Sequence, residues 1–93
     1  MATYLLFGKM TPEAARAVSA QRTDDAIALI KKYGGEYKAG YALLGDVDYV
    51  AILDLPDTER AMQVSLGLSK LLGISFRTAP AVTMDEFDRL AGA

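Results

Sequence analysis

The chain has 93 residues, with 10 basic and 12 acidic side chains, a net charge of −2, and neither cysteine nor histidine. The length fits one domain over residues 1–93 that buries only about 60–65% of its unfolded surface, so a subunit interface would add useful burial. The missing residues exclude disulfides, iron–sulfur clusters, zinc–thiolate sites, a Cys nucleophile, a His general base and a Ser–His–Asp triad, and the slight negative charge makes nucleic acid an unexpected partner.

Thr3 to Lys9 reads as a first strand, apolar on both faces, with Leu5 and Phe7 on one and Tyr4 and Leu6 on the other. Nothing before it resembles a signal peptide or a spanning segment, so a cytoplasmic protein without membrane partners is expected. Thr11-Pro12-Glu13 starts a short helix, with Thr11 as N-cap and Pro12 at the first helical position. Ser19 to Arg22 reads as a break, and a better helix runs from about Thr23 with Ala26, Ile27, Ile30 and Tyr33 on one face. Gly34-Gly35 ends it.

Glu36 to Leu44 and Val47 to Leu55 read as the second and third strands, joined at Gly45-Asp46 as a tight hairpin. Pro56 stops the third strand. Asp57 then caps a helix carrying Ala61, Val64, Leu68, Leu71 and Leu72, which Gly73 closes. Ile74 to Val82 is a fourth strand, and Pro80 points to an edge or a bulge. Thr83-Met84-Asp85-Glu86 has capping-box spacing and begins a terminal helix through Phe87 and Leu90.

The order β-α-β-β-α-β plus a C-terminal helix is the ferredoxin-like arrangement of the α+β class, with a four-stranded antiparallel sheet. Two helices on one face leave the other bare, yet the strands are apolar on both sides. In the third strand Val50 and Ile52 share one face, and Tyr49, Ala51, Leu53 and Leu55 the other. A second copy of the same sheet is the expected cover, giving a homodimer. A charge at Leu53 or Tyr49 is expected to break it.

Few residues suggest chemistry. Asp46, Asp48 and Asp54 are the conspicuous acids. Asp48 and Asp54 are about 20 Å apart at strand rise, too far for a carboxylate pair within one chain. Asp48 is the weak catalytic candidate, as a general base if desolvated; the alternative is a turn residue bonded to nearby backbone, which fits Asp46 as well. Tyr4, Tyr41 and Tyr49, with Tyr37, form a dense aromatic set that suits either a pocket wall or strand packing. Arg77 lies among apolar neighbours, where it would clamp an anion or form an interchain ion pair. The ligand-binding candidates are thus Tyr4, Tyr41, Tyr49 and Arg77. No G-x-G-x-x-G or Walker loop is present, and neither a cofactor nor a metal is expected.

The strand Tyr4 to Lys9, Thr11-Pro12-Glu13, Lys31-Lys32-Tyr33-Gly34-Gly35, the block Leu44-Gly45-Asp46-Val47-Asp48, Pro56-Asp57 and the ending Thr83 to Phe87 together resemble the GYD-domain family across nearly the whole chain. The resemblance implies a dimeric α/β barrel in which two ferredoxin-like sheets pack face to face. The family pattern is roughly Gly-x-Tyr-Asp, whereas this chain has Val47 at the aromatic position and Tyr49 two residues on. The resemblance brings no reaction with it. A homodimeric barrel that binds a small apolar or aromatic molecule between sheet and helices is the leading expectation. A cofactor-independent enzyme of monooxygenase or isomerase type is the alternative, and a pure oligomerisation module the third.

Overall fold

The computed structural model describes residues 1–92. Strand β1 (Ala2–Met10) is followed by helices α1 (Pro12–Arg16) and α2 (Ala20–Lys32). Then come β2 (Glu36–Ala42), β3 (Tyr49–Leu55), α3 (Thr58–Leu72), β4 (Ile74–Ala81) and α4 (Met84–Leu90). The sheet order is β2-β3-β1-β4 with every neighbouring pair antiparallel, which is the expected ferredoxin-like topology. Pro80 lies on the edge strand β4, where it interrupts no central ladder.

Local chemistry sets most boundaries. The side chains of Thr11, Ser19, Asp57 and Thr83 each accept a backbone N–H in the first turn of the helix that follows. Ser19 corrects the expected break: its hydroxyl receives the Arg22 N–H, so α2 begins at Ala20 rather than near Thr23. Gly73 closes α3 in the left-handed conformation at φ 67°.

The hairpin also differs from expectation. β2 ends at Ala42 and β3 starts at Tyr49, so residues 43–48 form a loop wider than a two-residue turn. The Leu43 N–H donates to the Asp48 carbonyl across its base (2.8 Å), and Leu44 stands fully exposed at its tip. The pairing of β2 with β3 shifts register between Tyr37 and Ala39, a bulge that bends the edge strand.

The core lies between the helices and one face of the sheet. Leu6, Leu53, Leu55 and Val64 are fully buried, with Ile30 close behind. Each contributes about 1.5–3 kcal/mol by leaving water. The register puts Leu5, Phe7, Val50, Ile52 and Ala79 together on the opposite face. Leu53 and Tyr49 therefore face the helices, and the expectation that a charge there would break a sheet-face dimer named the wrong side of β3. The exposed-face equivalents are Val50 and Ile52, both half-buried.

That bare face makes the molecule thin, with extents of 47 × 30 × 19 Å. Its radius of gyration of 13.9 Å exceeds the ~12 Å of a compact chain of this length. α4 is part of the reason: it buries no residue, and Met84, Phe87 and Leu90 are all exposed.

Candidate functional site

Between α1, α2 and the β2–β3 end of the sheet lies a cavity of about 260 Å3. Its walls are largely apolar: Met10, Ala14, Ala26, Ile27, Leu68 and Leu72 line it together with Tyr37 and Tyr49. Two glycines admit those rings. A Cβ at Gly40 would fall 2.0 Å from the Tyr37 hydroxyl, so the ring lies where a side chain would stand. A Cβ at Gly8 would fall 2.8 Å from the Tyr49 ring and 3.0 Å from Phe76. The Tyr49 and Phe76 rings sit 5.9 Å apart, tilted by 46°, within the range of favourable aromatic pairs. A glycine inside a strand pattern signals such close approach, and that was the available clue to Gly8 and Gly40.

The polar groups of the cavity are few. Tyr49's pKa is raised, first by burial and second by the neighbouring Tyr37 phenol, so its hydroxyl stays protonated and acts as a donor at neutral pH. Among the described residues Arg22 is the one charged side chain lining the cavity, beside the hydroxyls of Ser19 and Thr23. One of its guanidinium nitrogens donates to the Leu71 carbonyl at the C-terminal turn of α3. This leaves other N–H groups of the same planar head to serve elsewhere.

The residues singled out from sequence do not converge. Tyr49 lines the cavity, and Tyr41 stands at its rim, 59% exposed. Tyr4 is buried beneath α3, its hydroxyl 3.5 Å from Thr58, and belongs to a separate groove with Ser65 and Thr78. Arg77 pairs in register with Phe7 on the bare face, the side of the sheet opposite the cavity. Tyr37, Arg22 and Gly40 also line the cavity; of these the aromatic set hinted at Tyr37 alone.

Asp48 is held in backbone. Its carboxylate accepts the Met10 N–H (2.8 Å), and its own N–H donates to the Gly8 carbonyl (2.8 Å). It therefore ties the end of β1 to the β2–β3 loop. Asp54 lies on the bare face, where its carboxylate accepts the Thr3 hydroxyl (2.9 Å) and faces Lys38 at 3.7 Å. Among the described residues no cluster of acidic side chains has metal-ligand spacing, and no helix is long and apolar enough to cross a membrane.

No curated protein matches the sequence. Among solved structures the fold is similar to the leucine response regulatory protein of Mycobacterium tuberculosis, at 12% identity and a TM-score of 0.59 over 89% of this chain and 51% of that one. It is also similar to the feast or famine regulatory protein of M. tuberculosis complexed with L-methionine, at 12% identity and a TM-score of 0.62 over 90% and 52%. A transcriptional regulator gives 12% and 0.60 over 90% and 52%. At such identity the likeness is one of fold, and this chain spans about half the length of the solved chains it matches. The sequence model of the GYD domain matches residues 4–91, and the chain belongs to the GYD-domain family.

Proposed function

We propose that this single domain is a small-molecule-binding module whose ligand, apolar or aromatic in its body, occupies the cavity between α2 and the sheet. The observation that carries the reading is the cavity itself: about 260 Å3 of space walled by apolar side chains and two tyrosine rings. Ligand sites combine such walls with a few placed polar groups, here Tyr37, Tyr49 and Arg22. That a protein of the same fold was solved with L-methionine bound supports a binding role for the fold, and no more than that.

The bare sheet face supports a homodimer that closes as an α/β barrel. Its apolar centre of Leu5, Phe7, Val50 and Ile52 is bordered by Lys9 and Arg77 at one end and by Glu36 and Asp54 at the other. Lys38 pairs with both acids within the chain, so burial of the apolar centre is what favours a twofold-related copy. The binding reading is favoured over an enzyme because the acid proposed as base, Asp48, is engaged by the Met10 N–H. It is favoured over a pure assembly module because a filled core would leave no cavity.

Titration with indole tests the reading. Indole is expected to bind and to raise the melting temperature of the protein. Ala26→Leu, which grows into the cavity, should remove that gain while the fold persists. An equal gain in both proteins would put the binding elsewhere.

A further inference from the structure

Most of the cavity wall selects only for apolar surface; the exception is Arg22. A guanidinium is never neutral under ordinary conditions and offers five N–H donors in one plane. One is taken by the Leu71 carbonyl, which fixes the head beside the cavity. Among the described residues no acidic side chain lines the cavity, and Asp25, three positions after Arg22 on α2, accepts from the Gln21 side chain instead. The four ion pairs formed among the described residues all lie elsewhere and omit Arg22. Tyr37 and Tyr49 add phenol hydroxyls to the lining, which are able to donate to an anionic acceptor.

We propose that the ligand of this cavity is a small apolar carboxylic acid, bound as its carboxylate by Arg22 with its hydrocarbon body against Ala26, Tyr37 and Tyr49. The inference rests on the binding reading above and adds the chemical class. Size limits the ligand further. A cavity of about 260 Å3 admits a small molecule and not a polymer. Other candidate regions do not compete: Ser65 and Thr78 in the groove under α3 satisfy each other at 2.6 Å, and Arg77 belongs to the bare face.

The test compares two probes of equal size, phenylacetate and its neutral analogue phenylacetamide, by chemical-shift titration of wild type, Arg22→Gln and Arg22→Lys. Wild type is expected to bind phenylacetate at least about tenfold more tightly, equivalent to about 1.4 kcal/mol. Arg22→Gln should bring the two probes to within about twofold of each other, and a melting temperature and amide spectrum close to those of wild type would report that the fold and cavity are intact. Arg22→Lys should keep part of the preference, since the charge remains without the planar fork. Equal affinity of wild type for both probes would overturn the carboxylate inference and leave the cavity as a binding site. A preference that survives Arg22→Gln would overturn the role of Arg22. Binding of neither probe would overturn the inference together with the binding reading.

Discussion

The two helices that cover the sheet treat it differently. Against α3 the core is filled by Leu6, Leu53 and Val64, all fully buried, and the hydroxyls of the open groove at its outer edge pair with one another. Under α2 the helix offers small or partly buried residues such as Ala26 and Ile27, and β2 offers Gly40 where a side chain would fill space. There the sheet lies across a cavity instead of a wall of leucines. Close packing makes the first half a source of stability, while the second gives up some of that burial and keeps a shaped space with polar groups at its edge.

Leu53→Ala should expose the difference most strongly. In the closed half it should cost about 2–5 kcal/mol, measured by urea unfolding. A loss under 1 kcal/mol would mean that the α3 side relaxes as freely as the α2 side. Asp48→Ala leaves the Met10 N–H without its partner and should cost about 1–3 kcal/mol. Asp48→Asn keeps an acceptor oxygen there and should recover most of that loss. If Asn destabilises as much as Ala, the carboxylate charge has a role beyond accepting this bond.

The open half responds through shape. Gly40→Ala forces the Tyr37 ring out of its seat and should cost about 1–3 kcal/mol. Indole binding should weaken with it, and unchanged binding would separate Tyr37 from the ligand site. Tyr49→Phe should have the smallest effect on stability near neutral pH. Because burial raises the folded-state pKa of Tyr49 above its ordinary value of 10.0, the unfolded chain ionises first as pH rises. That part of the stability is fully present below pH 10 and is lost as pH climbs through the folded-state value. Tyr49→Phe should flatten this alkaline decline in pH-dependent unfolding, and an unaltered decline would assign it to another group.

Much of the fold was legible because its signals are local. Thr11, Asp57 and Thr83 announce helix starts by hydrogen-bonding chemistry that depends on a few adjacent residues, and Pro80 marks an edge strand because it lacks an N–H. Ser19 carries the same kind of signal, but the residues between α1 and α2 interrupt the apolar period and hide it. The Gly45-Asp46 pair suggested a tighter turn than the loop that Asp48 ties to β1.

The cavity was harder to read because it is a tertiary object. Tyr37 and Tyr49 come together only when β2 pairs with β3, and Arg22 reaches it only because α2 lies beside the end of α3. Tyr4 and Arg77 show the converse. Alternation in strands assigns residues to two faces but does not say which face receives the helices, so residues of one chemical type were grouped although the fold separates them.

Native mass spectrometry of gently purified wild-type protein beside Ile52→Asp and Ala26→Leu tests the central claim most directly, that binding and assembly use opposite faces of the sheet. The expected result is a wild-type dimer that takes up added phenylacetate, an Ile52→Asp monomer that still takes it up, and an Ala26→Leu dimer that does not. A wild-type monomer, or uptake lost with Ile52→Asp and kept with Ala26→Leu, would contradict it.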